Sequence, residues 1–274
     1  MSKITVTTIA GLTSGGDANT VKIESGDAFN VVSGATTLGG DLTVDTNVLK
    51  VDSSNNRVGI GTASPTQDLT IVNSGSARME LVSGTSGTSI IDMGDSADKD
   101  IGGIRYAQGT DTMQFRAGND VRMSIDGSGR VTKPANPAFS VRSTAGNNGN
   151  TWEAGQDIKF QVVDTDIGSN YATGTGRFTA PVAGFYTFSY IGFGYSAGRV
   201  PAGSTCSVQL RKNGSTITTG SYNEVNSSTG YPQSGFTFSL ALAVNDYVTI
   251  RAQANGQYAD SSGLYTALSG YLVG

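Results

Sequence analysis

Histidine is missing altogether from this chain of 274 residues, which removes the commonest general base, the usual triads and the commonest metal ligand. Most hydrolase mechanisms are excluded with it. Cysteine occurs once, at Cys206, so no disulfide closes within one chain and the fold must rest on its core. A free thiol points to synthesis in a cytoplasm. No apolar run is long enough to span a bilayer, and the opening MSKITVTTIAG has no apolar core followed by a small-residue cleavage site. No membrane insertion is expected, and a product that works outside the cell would leave by lysis or assembly.

Aromatic residues are scarce in the first half and gathered in the second. Only Phe29, Tyr106 and Phe115 precede residue 137, and the other nineteen, Trp152 among them, follow it. A buried ring removes roughly 150–250 Å² from water, worth about 4–6 kcal/mol as an upper bound at about 25 cal/mol per Å². Residues 137–274 can therefore hold a core of their own. The first half, rich in Gly, Ser, Thr, Asp and Asn with short aliphatic strands, is expected to take apolar partners from identical neighbours. The formal net charge of −4 arises entirely there: residues 1–136 carry 11 basic and 15 acidic side chains, the remainder 7 of each. A neutral second half without a basic run argues against a phosphate-tracking nucleic-acid surface. Neutral polar ligands such as glycans suit it better.

The stretch Asp157 to Tyr190, DIKFQVVDTDIGSNYATGTGRFTAPVAGFYTFSY, organises the second half. Tyr186, Phe188 and Tyr190 alternate with Thr187 and Ser189, which puts three rings on one face of a strand. Pro181 and Gly184 mark the turn that leads into it, and Phe178 belongs to the strand before. Further strands are expected near 138–143, 157–163, 185–193, 205–212, 215–222, 236–244, 246–254 and 264–273, without a helical stripe. Asn213-Gly214 favours a two-residue hairpin turn with positive φ at both positions, and Asn245-Asp246 is expected to serve similarly. The spacing of Phe160, Asp166, Tyr171, Phe178, Gly184, Tyr186, Phe188 and Tyr190 resembles the signature of the complement component 1q globular-head family, a branch of the tumour-necrosis-factor-like jelly rolls. Pro137-Ala138-Phe139-Ser140 looks like that family's opening strand and Leu268-Ser269-Gly270-Tyr271-Leu272 like its closing one. The resemblance implies a ten-stranded jelly roll that works as a trimer and binds other molecules without doing chemistry.

In the first half, residues 41–72 read as strand, Asn-rich turn, strand, Pro-marked turn and strand. LKVDSSNNRV at 49–58 recurs as MSIDGSGRV at 123–131: aliphatic, Asp, small residues, Arg, Val. RVGIGTASPTQDLTI and IGGIRYAQGTDTMQFRAGNDVRMSIDGSGRV resemble the shaft modules of bacteriophage tail fibres, which implies three chains wound together. Pro134 and Pro137 suit a stiff joint. Three regions are expected: 1–40 for attachment to other virion proteins, 41–136 as fibre shaft, and 137–274 as head. The fold class is all-β, a C-terminal jelly-roll β-sandwich preceded by a β-rich intertwined trimeric shaft.

Candidate chemistry is sparse. Asp164 and Asp166 are the nearest acid pair for glycosidase work, but residues two apart on one strand face are better read as structural, and no catalytic residue is assigned. Gly59-Ile60-Gly61 lacks the third glycine and the helix of a dinucleotide loop and reads as a turn. Asp92, Asp95, Asp98 and Asp100 lack the spacing of a hand-type calcium loop and read as a hairpin tip. Some relatives of the head bind calcium in the loop after the Lys-Asn-Gly turn, where this chain offers only Glu224 beside Asn223, so neither metal nor cofactor is expected. Tyr222, Tyr231 and Tyr258, with Arg199, lie in the polar loops 194–204, 219–235 and 255–263. They are the candidate contacts to a host-surface glycan or protein, since exposed rings stack on sugar faces and pack at protein contacts. The expected protein is a homotrimeric phage fibre component, made in the host cytoplasm and located in the virion. A purely structural capsid, neck or baseplate fibre, with the head as trimerisation cap, is the alternative.

Overall fold

The computed structural model describes residues 42–44, 48–144, 151–193, 205–220, 223–224, 233–253, 257–258 and 265–273. The expected attachment region, 1–40, lies outside them. Among the described residues the elements are strands apart from one 3-10 turn, Gln108–Thr110, the all-β class its sequence implied. It divides into two compact units, residues 1–80 and 81–274.

In the first unit β1 (Leu42–Val44), β2 (Leu49–Asp52) and β3 (Arg57–Ile60) pair antiparallel, and β4 (Leu69–Ile71) joins β3 in parallel. The β2–β3 turn is organised by Asp52, whose Oδ1 accepts the N–H groups of Ser54 at 3.1 Å and Asn55 at 3.2 Å. A parallel neighbour needs a crossover rather than a hairpin. Gly61, at φ +75°, opens it, because a Cβ there would run into the Val72 carbonyl; Arg57 Nη1 holds it by donating to the Pro65 carbonyl at 3.1 Å.

The second unit begins with a meander: β5 (Thr88–Met93), β6 (Gly102–Ala107), β7 (Thr112–Ala117), β8 (Asp120–Ile125) and β9 (Val131–Thr132), paired in that order. Register sorts its side chains by face. Ile91, Ile104, Phe115 and Met123 form one row across four strands, and Tyr106, Met113, Ile125 and Val131 the next. The other face carries Asp92, Arg105 and Gln114, with Arg105 Nη2 3.2 Å from Asp92 and 3.5 Å from Asp100. Among described residues 81–136, Gly103 alone is buried. Neither face therefore has a buried side chain among the described residues. The β8–β9 turn repeats the device of β2–β3: Asp126 Oδ1 accepts the N–H groups of Ser128 and Arg130, both at 3.0 Å. The recurrence of LKVDSSNNRV in MSIDGSGRV is thus a repeated Asp-organised hairpin.

The rest of the unit is the sandwich. Its strands are β10 (Ala138–Arg142), β11 (Thr151–Trp152), β12 (Val162–Ile167), β13 (Tyr171–Ala172), β14 (Arg177–Thr179), β15 (Gly184–Phe193), β16 (Thr205–Cys206), β17 (Val208–Lys212), β18 (Ser215–Thr219), β19 (Asn223–Glu224), β20 (Gln233–Leu242), β21 (Tyr247–Ala252), β22 (Gln257–Tyr258) and β23 (Ala267–Leu272). Two five-stranded sheets, β12-β10-β23-β15-β20 and β13-β14-β21-β17-β18, face each other, and β11-β22 and β16-β19 form short pairs. Ten strands in two sheets with crossing connections make the expected jelly roll. The alternation in β15 is obeyed: Tyr186, Phe188 and Tyr190 are buried, while Phe185 and Ile191 face outward. Phe139 stacks on Phe178 at 4.8 Å and on Tyr171 at 5.5 Å, tying the two sheets together. Gly270 lies between Phe139 and Phe188 in register, where a Cβ would come within 2.7 Å of both rings.

The turns match their residue types. Asn213 and Gly214 take φ of +49° and +82°. At Asn245-Asp246, Asn245 alone has positive φ, +68°, and the Asp246 N–H closes the turn onto the Ala243 carbonyl at 3.1 Å. The expected strand at 157–163 is displaced: β12 begins at Val162. Ile158 and Phe160 alternate like a strand and are fully buried, but the Ile158 N–H donates to Ile250 in one sheet and the Phe160 N–H to the Tyr171 hydroxyl. The segment crosses between sheets, and β12 then pairs with β10 in the other.

Candidate recognition surface

Strand directions define two ends of the sandwich. Pro137 enters at one, where its carbonyl accepts the Leu272 N–H at 2.9 Å. The turns at 168–170, 180–183, 213–214 and 243–246 lie at this end. Asp166 builds the first of them, accepting the Asn170 N–H at 2.9 Å and the Tyr171 N–H at 3.0 Å. Asp246 ties two others together: it accepts from Lys212 Nζ at 2.8 Å, from Asn213 Nδ2 at 2.6 Å and from the Ala243 N–H at 2.8 Å. Those donors hold its carboxyl well below the usual range, at about 2. An open groove of about 350 Å³ runs between Asn170, Thr179, Pro181 and Asn245. In it Asn170 Nδ2 donates to the Ile167 carbonyl and the Asn245 backbone N–H to the Ala180 carbonyl, both at 2.9 Å.

At the opposite end β10, β15, β18 and β21 finish and β12, β17, β20 and β23 begin. The long connections that carry the four sequence-predicted contacts leave from these strand ends. Arg199, Tyr222 and Tyr231 themselves lie outside the described residues. Tyr258 belongs to β22, its backbone paired with Thr151 of β11, so part of the expected 255–263 loop is a short strand; β19, paired with β16, likewise interrupts 219–235. One exposed ring was missed. Tyr265 precedes β23, is 48% exposed and meets Phe193 edge-on at 5.6 Å. Its signal was its phase, opposite to that of buried Thr266 and Leu268. Beside it Ser143 donates its N–H to the Thr266 carbonyl at 2.9 Å, and Gln161 Oε1 accepts the Thr144 N–H at 2.9 Å.

The acid pair weighed for glycoside hydrolysis is engaged elsewhere. Asp164 is held by Arg142 through two hydrogen bonds of 2.7 Å, which lowers its pKa, whereas a general acid needs a raised one. Asp166 spends both oxygens on its turn. Asp157 bridges Arg251 at 2.8 Å and Arg211 at 3.6 Å. In the meander, Asp95 Oδ1 accepts the Ala97 and Asp98 N–H groups and Asp98 Oδ2 accepts from Asn119 Nδ2, so these carboxylates shape a hairpin tip. Among the described residues no group of three or more His, Cys, Asp or Glu is placed to hold a metal.

Among the described residues of this ten-stranded jelly roll, Asp157, Asp164, Asp166 and Asp246 are all engaged by its own turns and edges. The C1q domain model matches residues 138–273, and this half of the chain is a C1q/tumour-necrosis-factor-like domain. Among solved structures, the globular domain of zebrafish complement 1qA protein is 20% identical, covering 50% of this chain and 98% of that one, with a TM-score of 0.38. Murine APRIL is 10% identical over 50% and 99%, with a TM-score of 0.39. Eiger TNF from S. frugiperda is 12% identical over 51% and 94%, with a TM-score of 0.38. No curated protein matches the chain.

Proposed function

We propose that this protein is a homotrimeric bacteriophage fibre protein of the virion, attached to other virion proteins through residues 1–40, whose head binds a host-surface glycan or protein. No bond is made or broken. One observation carries the reading: a C1q/tumour-necrosis-factor-like head with its own aromatic core follows strands that have no buried apolar face within one chain. Strands of that kind gain order from identical neighbours, and resemblance of residues 41–133 to phage fibre shafts supplies the setting. Three heads on one axis raise effective concentration, so individually weak contacts hold a particle by avidity.

The test uses full-length protein as a competitor for phage adsorption and as a probe on immobilised host-surface glycans. Binding that is lost in a Tyr222→Ala, Tyr231→Ala, Tyr258→Ala variant of unchanged mass supports recognition through these loops. A trimer that neither binds nor competes leaves the structural alternative, a trimerisation cap. Exposed Phe185, Tyr271 and Val273 on the outer face of the β15 and β23 sheet favour that second reading.

A further inference from the structure

We propose that the apolar face of the β5–β9 meander is a subunit interface, covered in the assembled protein by the same face of two further copies of this chain. The proposal rests on the homotrimer reading and assigns it a surface.

Four strands of six residues and one of two, about 4.8 Å apart at about 3.4 Å per residue, give a face of roughly 400 Å². That is the size of the largest apolar patch on a typical soluble monomer, which is often a functional surface. No charged residue occurs in its two central rows, from Ile91 to Met123 and from Tyr106 to Val131. The reverse face carries the Asp92–Arg105–Asp100 cluster, so water belongs on that side. In a sheet with one side meant for water, the other is normally packed on a core. Here it is only half-buried, with Ile91 37% and Met93 53% exposed.

The area and its continuation argue for copies of the same chain. A lasting interface buries about 800 Å² on each partner, more than this face offers, so the occupant must continue beyond the meander. Exposed apolar residues recur within the same unit on the sandwich, at Phe185, Ile191 and Tyr271. A copy running alongside offers a matching apolar residue to each of these, and closed symmetry lets every copy use the same face.

The experiment compares two thiols placed in full-length Cys206→Ser protein: Ile104→Cys on the apolar face and Gln114→Cys on the reverse. Both parent residues are half-buried in the single chain, so an uncovered meander alkylates both at similar rates. In trimeric protein the interface predicts alkylation of Ile104→Cys slower by roughly tenfold or more, with the difference abolished in denaturant. Met123→Cys serves as a second probe of the face should Ile104→Cys fail to assemble. A trimer in which both faces react alike overturns this proposal and leaves the homotrimer reading standing. A monomer by sedimentation removes both. Protection that appears only when another virion protein is added also overturns it, by identifying a different occupant.

Discussion

Asp166 has two oxygens, and both accept from the backbone, at Asn170 and Tyr171. The sequence reading placed Asp166 in a family signature without a reason; the turn between β12 and β13 supplies it, because the carboxylate receives those two N–H groups and fixes the turn. Asp166→Ala is expected to destabilise the head by about 1–3 kcal/mol, read as a lower urea midpoint with an unchanged slope. Asp246 offers a test by pH. Its pKa is depressed in the folded protein, so its contribution is complete above the ordinary carboxylate value near 3.8 and is lost as pH falls toward about 2. The melting temperature should fall across that window in the parent protein and fall less in Asp246→Asn. Equal slopes for the two proteins would refute the linkage. Asn213-Gly214 needed no structure to be read, since a dipeptide that tolerates positive φ twice has few other uses.

Elements were legible where one face was buried and the period was unbroken. β15 shows this, with rings inward and Thr187 and Ser189 outward. The reading slipped at 157–163 because burial of Ile158 and Phe160 imitates a strand, while the ladder partners that define one were absent: the Phe160 N–H is satisfied by a tyrosine hydroxyl. Burial pushes the pKa of that phenol upward, so it stays protonated. The closing strand β23 shows what a family signature cannot say. Gly270 leaves room for Phe139 and Phe188, whose centroids are 6.2 Å apart across it. A Cβ at this position meets both rings at 2.7 Å, and neither ring has space to withdraw, since each is also packed on Phe178. Gly270→Ala should cost about 1–3 kcal/mol by overpacking and alter the near-ultraviolet aromatic signal. A parent-like midpoint would mean that the sheets separate more easily than this packing implies.

The two parts of residues 81–274 differ in how much side chain they bury within one chain, and if copies cover the meander that difference is measurable in the whole molecule. Between residues 137 and 274 the core is internal, with Phe160, Phe178, Tyr186 and Phe188 fully enclosed by one chain. The meander of residues 88–132 encloses no side chain, Gly103 being its buried residue. Composition had already concentrated the aromatic residues after residue 137, but it gave neither the apolar face of the meander nor the ring at Tyr265, because both depend on strand register. Structure held by neighbours is stabilised by mass action, and structure held by its own core is not. Hydrogen exchange in rising urea, at two protein concentrations, should therefore separate them. Amides of β6, β7 and β8 are expected to lose protection first, at a midpoint that rises with protein concentration. Amides of β15, β20 and β23 should persist past that point, because β15 is paired on both sides and backed by enclosed rings. Meander amides that stay protected to the same urea concentration at both dilutions would show that the sheet sustains itself, and the case for neighbouring copies would fail with it.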